Sequence, residues 1–312
     1  MTSIEKDITE PIDSTASLAS SNKLEVLLFA VGGNEIFGIN VLKVKEVCTT
    51  PLITRLPNMS LGVEGVINLR GNIVPILNLA TFLEVEPLTG YGETMIVTEY
   101  CRQRQGFLVQ SVDHIIRVNW TAVKTPEDLV TNENHFVTSV IEQSNGKLVS
   151  ILDIEQILVQ AFGELIVPDI DPANVDDDVV IFFVDDSIVA RRKIAEVIQQ
   201  LSVKHYQATN GLEAWKNLQN LADQAKRNGE KLSDRLRLIL VDAEMPEMDG
   251  YSLTKNIKSD PRFTDIPVVM HSSLSSEANR IMGKKVGVDA YVSKFDPVGL
   301  ADTLRPLIEV RR

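Results

Sequence analysis

In the second half of this 312-residue chain, reactive side chains stand at the ends of apolar runs. Asp185 and Asp186 end the run 179–184, and Asp242 ends 236–241. Ser272 lies just past 267–270, and Lys294 follows Ala290-Tyr291-Val292-Ser293. Taken singly, the acids have a plain structural role, because Asp and Ser are strong helix N-caps. Taken together, the groups could do chemistry. Clustered carboxylates raise one another's pKa unless a cation sits among them, and hard oxygen ligands with water suit Mg²⁺. A metal and Lys294 would stabilise a phosphoryl group attacked by Asp242, with Ser272 hydrogen-bonded to one of its oxygens.

Whether these groups meet depends on the elements that carry them. The four apolar runs read as strands. Helical patterns at 188–201, 212–221, 251–258, 276–286 and 299–308 alternate with them; in the first, Ile194, Val197, Ile198 and Leu201 share a face. Such alternation implies an α/β, doubly wound parallel sheet whose strand ends gather at one edge. Directly after Asp242, the segment Ala243-Glu244-Met245-Pro246-Glu247-Met248-Asp249-Gly250 is rich in turn formers. The polar stretch 222–234 reads as a solvated surface insertion.

The first half has a different texture. Short apolar runs at 24–31, 35–39, 62–68, 73–77, 95–98, 106–109, 114–118 and 147–152 are divided by turns such as Gly32-Gly33-Asn34 and Arg70-Gly71-Asn72. That pattern suggests antiparallel barrels, closed by a short helix at 154–162. The expected organisation is a disordered tail over 1–22, an all-β domain over 23–165, an acidic linker over 166–178 and an α/β domain over 179–312.

The bulk numbers narrow the function. A net charge of -12 argues against nucleic acid as a partner, since phosphate binding needs clustered Lys and Arg. Two cysteines, Cys48 and Cys101, make no metal-ligand spacing or disulfide framework. No signal-peptide pattern is present, and no apolar run approaches the ~18 residues of a membrane span. The expectation is a cytoplasmic protein with no direct membrane insertion.

Asp185-Asp186, the segment from Val241 to Gly250, Ser272 and Tyr291-Val292-Ser293-Lys294 together resemble the response-regulator receiver domain. The resemblance implies that Asp242 accepts phosphate from a phosphohistidine of a sensor kinase. It implies Mg²⁺ held by Asp185, Asp186, Asp242 and the backbone carbonyl of Glu244. It also implies a switch made of Ser272 and Tyr291. Phe295 stands where that family usually has Pro, and Glu244 adds an acid close to the site.

The first half is similar to the CheW-like coupling domain of bacterial chemotaxis. The match rests on Phe37-Gly38-Ile39, Val44-Lys45-Glu46-Val47, Arg55-Leu56-Pro57, the stretch from Gly65 to Asn78, and Ser150-Ile151-Leu152-Asp153. It implies two five-stranded barrels that bind chemoreceptor tips and the chemotaxis histidine kinase CheA. Arg70 is implied in receptor contact, with Val44, Glu46 and Gly65 on the partner surface. A coupling domain followed by a receiver resembles the arrangement of CheV-type chemotaxis proteins. That implies a non-enzymatic adaptor at polar receptor arrays, tuned by phosphorylation of Asp242 for adaptation or as a phosphate sink. The competing reading is an aspartyl phosphatase or phosphotransferase, with Glu244 as its second acid. A DNA-binding regulator lacks the helix-turn-helix it would need.

Overall fold

The computed structural model describes residues 23–309 except 101–102, 125–135, 144, 164–165, 273–276 and 295. The expected tail over 1–22 and Phe295 therefore lie outside the described residues.

Among the described residues, eleven strands occupy the first half: Lys23–Ala30 (β1), Ile36–Asn40 (β2), Val44–Thr49 (β3), Val63–Leu69 (β4), Asn72–Asn78 (β5), Thr94–Tyr100 (β6), Gln103–Val109 (β7), Ser111–Asn119 (β8), Val123–Lys124 (β9), Val137–Glu142 (β10) and Leu148–Leu152 (β11). They form two sheets. One runs β8-β1-β2-β11-β10-β9 and the other β3-β6-β7-β5-β4. The two-residue β9 gives the first sheet its sixth strand. Pairing is antiparallel except at β2–β11 and β5–β7.

The continuous apolar run in β1 reflects burial on both faces. Leu27 and Phe29 join a central core with Phe37, Leu77, Ile96 and Phe107, which come from both sheets. Val26 and Leu28 point the other way, toward Trp120, Ile141, Val149 and Ile151. This is the period-two alternation of a strand. Two short helices, Leu79–Leu83 (α1) and Ile154–Phe162 (α2), also pack into the central core.

The second half is a parallel sheet of Lys204–Ala208 (β13), Val180–Val184 (β12), Leu236–Asp242 (β14), Val268–Ser272 (β15) and Ala290–Ser293 (β16), in that spatial order. Successive residues of β12 face opposite cores. Ile181 and Phe183 pack with Ile188–Gln200 (α3) and Pro297–Ile308 (α8), and Phe182 and Val184 with Gly211–Asn228 (α4) and Gly250–Ser259 (α6). Leu232–Arg235 (α5) and Glu277–Val286 (α7) complete the described helices. None of these is long and apolar enough to cross a membrane.

Three departures from the sequence reading have physical reasons. Strands β3, β9, β10 and β13 were not anticipated. β13 is an edge strand, so Lys204-His205-Tyr206-Gln207 need not be apolar. The 222–234 stretch is largely solvent-facing, as expected, but helical: α4 continues through it to Asn228, with Ala222 buried in the core and Gly229 in the left-handed cap at φ 70°.

Residues 166–178, expected as a linker, form a strap on the second unit. Val167 is buried against α3 and α8, and the Ile170 and Ala173 N–H groups donate to Gln200 Oε1 (2.7 Å) and the Leu201 carbonyl (3.0 Å). Arg305 donates to the carbonyls of Pro172 (2.8 Å) and Asp171 (2.6 Å).

Candidate functional site

The chain order of β12 and β14 reverses around their shared edge, and open α/β sheets hold ligands at such a switch point. Asp185 and Asp186 follow β12, and Asp242 ends β14. Helix capping does not consume them. Ser187 caps α3 by accepting the Ala190 N–H (3.3 Å), and Asp249 caps α6 through Ser252 (2.9 Å). One Asp185 oxygen holds the Ser187 N–H (3.0 Å), and Arg191 Nη1 clamps the carbonyls of Asp185 (2.8 Å) and Asp186 (2.9 Å). Asp185 Oδ2 and Asp242 Oδ2 turn toward Lys294.

Lys294 joins the two strand ends. Its N–H donates to the Ser272 carbonyl (2.9 Å), which fixes the loop after β16 beside β15. Its Nζ then lies 2.7 Å from Asp185 Oδ2 and 2.9 Å from Asp242 Oδ2. Asp242 is 3% exposed and Lys294 5%. Burial pushes the Asp242 carboxyl well above the usual carboxylate range; Lys294 opposes this, and Asp185, Asp186 and Glu244 reinforce it. Burial also raises Asp185, to about 6. Lys294 is shifted the other way: burial works against its charge, but Asp185, Asp242 and Glu155 outweigh it and hold its pKa well above the ordinary lysine value.

Asp185, Asp186 and Asp242 each offer a ligand atom within 4.8 Å of the others. Three hard oxygen donors, in a cluster whose carboxyls are pushed toward protonation, fit a small divalent cation such as Mg²⁺. The Glu244 side chain is buried beside them. Neither of its carboxylate oxygens finds a hydrogen-bond partner among the described residues, and burial lifts its pKa to about 7 against the pull of Lys43.

Ser272 is buried at the end of β15 and its side chain is hydrogen-bonded to Tyr291. Burial raises the Tyr291 phenol to about 12, and the Arg280 guanidinium lies 5.7 Å from its ring centroid. Lys294, Ser272, Tyr291 and the three aspartates are thus gathered at one sheet edge.

The residues singled out in the first half lie elsewhere, on the β3–β6–β7–β5–β4 sheet. Arg70 and Gly71 form the two-residue turn of the β4–β5 hairpin with φ of 52° and 86°, the left-handed pair of a type I′ turn. The Arg70 side chain is 74% exposed, and its Nη2 pairs with Glu46 Oε2 at 2.7 Å across the sheet. Gly65 sits at a bulge in β4, where a Cβ would lie 2.5 Å from the Thr54 carbonyl oxygen. Val44 packs half-buried against the central core.

Sequence reasoning missed two residues at the site, both from the first unit. Helix α2 lies beside α3, and its Glu155 carboxylate is 3.9 Å from Lys294 Nζ and 3.8 Å from Lys43 Nζ. Burial works against the charge of Glu155, but Lys294 and Lys43 outweigh it and the Ser187 hydroxyl adds to their pull, so its pKa falls below the ordinary glutamate value. The charges of Glu155, Asp186 and Glu244 likewise keep the partly buried Lys43 protonated. The signal in the sequence was an acid in the otherwise apolar first turn of Ile154-Glu155-Gln156-Ile157-Leu158.

Comparison with known proteins agrees with both halves of this description. A CheW-like domain model matches residues 25–162, and a response regulator receiver domain model matches 181–305. The chain is 29% identical to the chemotaxis protein CheV3 of Helicobacter pylori, over 95% of this chain and 98% of that protein. The chemotaxis protein CheY1 of the same organism is 33% identical over 40% of this chain and 93% of its own length. The chemotaxis protein CheW of that organism is 30% identical over 48% of this chain and 92% of its own. With both kinds of unit present in one chain, and a full-length relative that shares the order, this protein belongs to the CheV-type family of chemotaxis coupling proteins, a CheW-like domain followed by a receiver domain.

Proposed function

We propose that this chain is an adaptor linking chemoreceptors to the chemotaxis histidine kinase CheA, and that phosphorylation of Asp242 tunes the link. The domains we assign are 23–165 for coupling and 179–312 for the receiver. The carrying observation is Lys294 Nζ, 2.9 Å from Asp242 and 2.7 Å from Asp185, in a buried cluster of acids.

In this reading an Asp242 carboxylate oxygen attacks the phosphorus of a phosphohistidine. The P–N bond breaks as the P–O bond forms, its electron pair stays on the imidazole nitrogen, and that nitrogen takes a proton. Lys294 is placed to hold a phosphoryl oxygen, and Ser272 to donate to another, with Tyr291 following it as the switch. Asp185, Asp186, Asp242 and the Glu244 backbone carbonyl would hold Mg²⁺, which when bound neutralises the acids and the developing phosphoryl charge.

Coupling is assigned to the sheet carrying Arg70, Glu46, Gly65 and Val44. Leu61 and Ile73 are exposed on or beside β4 and β5, which suits a protein partner better than bulk solvent. Arg is favoured at such surfaces because its guanidinium forks onto carboxylates. A cytoplasmic place at the polar receptor arrays follows from the same assignment.

The test is transfer of labelled phosphate from phosphorylated CheA with Mg²⁺. The wild-type chain should take up label and Asp242→Asn should not. Equal labelling would refute the assignment.

A further inference from the structure

The coupling unit touches the receiver at the residues that surround Asp242. Lys43 lies in the 3₁₀ turn Val41–Lys43 between β2 and β3, and Glu155 in the first turn of α2. Both project from the far unit into the acid cluster. Glu155 reaches the same ammonium, Lys294, that bridges Asp185 and Asp242. Lys43 is placed so that Asp186 and Glu244, as well as Glu155, act on its charge. The side chain of Glu155 is buried, and that of Lys43 reaches it from a partly exposed position.

Each unit carries apolar clusters of its own apart from this contact. The receiver core is complete in the two clusters on either face of β12, and the coupling cores in the clusters on either face of β1. Buried charges that bridge two units are costly to separate from one another but contribute little net attraction, which suits a two-state contact better than a permanent one.

We propose that Lys43 and Glu155 form a latch by which the coupling domain closes over the phosphoacceptor, so that transfer to Asp242 requires the two domains to part. The inference rests on the reading of Asp242 as phosphoacceptor. While the latch is shut, Glu155 stands 3.9 Å from Lys294 Nζ, the ammonium 2.9 Å from Asp242 that an incoming phosphoryl group must meet, so a donor carrying its phosphorus on a ring nitrogen competes with the latch for that charge. Once transferred, the phosphoryl group brings its negative charge to the ammonium that Glu155 shares. Glu155 is then repelled and loses its partner, which favours the open state. The charge change at one residue thus becomes a change in which face of the coupling domain is free.

The full chain with Mg²⁺ and phosphoramidate as donor tests this. In that reaction the P–N bond breaks as Asp242 gains its P–O bond, and the nitrogen leaves as ammonia. Glu155→Gln and Lys43→Met should each be phosphorylated at least about fivefold faster than wild type, the lower end of ordinary coupling between two sites. Asp242→Asn in each background should take up nothing. Equal rates in wild type and latch variants, with Asp242→Asn silent, overturn the latch and leave the phosphoacceptor standing. Undiminished labelling of Asp242→Asn overturns the phosphoacceptor instead. A second measurement needs no substitution. Beryllofluoride with Mg²⁺, added to the wild-type chain, should speed amide hydrogen exchange at least about fivefold in peptides covering Val41–Lys43 and Ile154–Phe162. Unchanged exchange there also overturns the latch.

Discussion

A single ammonium organises the receiver site. Lys294 sits between Asp185 and Asp242 because its own N–H is held by the Ser272 carbonyl, so the tether on the backbone aims the charge. The acids around it repel one another, and burial magnifies that repulsion; the same cluster that would cost stability alone becomes a cation site. Arg70 is the opposite case, a charge held out in solvent. Its pair with Glu46 spans 2.7 Å but is largely exposed, and exposed pairs contribute about 0–1 kcal/mol. Arg70→Ala should therefore leave the unfolding midpoint nearly unchanged while weakening capture of the chain by receptor–kinase arrays. A pull-down as strong as that of wild type would remove Arg70 from the docking surface. The aspartates, Ser272 and Lys294 were legible as residues, since each follows an apolar run; Tyr291, inside its strand, came only from the resemblance to receiver domains. Lys43 and Glu155 were not legible, because their partners lie more than a hundred positions away.

Among the elements, the loop from Ala243 to Gly250 has the least room. The Gly250 N–H donates to the Ala243 carbonyl (3.1 Å), and a Cβ on Gly250 would stand 1.9 Å from the Asp242 carbonyl oxygen. Backbone cannot yield as a side-chain tip can. Gly250→Ala should cost about 1–3 kcal/mol, the usual range for overpacking, and displace Asp242 from Lys294. Denaturant unfolding measures the first effect and the rate of labelling at Asp242 the second. A fully stable and fully active variant would show that the loop tolerates the shift. Elements with apolar faces were readable: β12 and β14 are buried on both sides and read as continuous runs. β13 escaped notice because an edge strand of Lys, His, Tyr and Gln carries no such pattern. α4 was read too short because its last turns are solvent-facing, apart from Ala222.

At the scale of the whole molecule, the strap 166–178 matters most. Its five Asp suggested a solvated tether, yet Val167 is buried, and Arg305 takes two of its carbonyls. The strap therefore fixes where the chain enters the receiver. Arg305→Ala should release it at a cost of about 1–2 kcal/mol, since net hydrogen bonds contribute roughly 1 kcal/mol each. Limited proteolysis would show this as faster cleavage between Pro168 and Asp178, and an unchanged rate would count against the strap. Local sequence determined the two fold types and the residues at the receiver's strand ends, because burial periodicity and turn chemistry are properties of neighbouring positions. Tertiary structure alone decided that Glu155 stands at Lys294, with Lys43 beside it. Charge acts through space, and the chain carries no local mark of which distant group will share a buried ammonium.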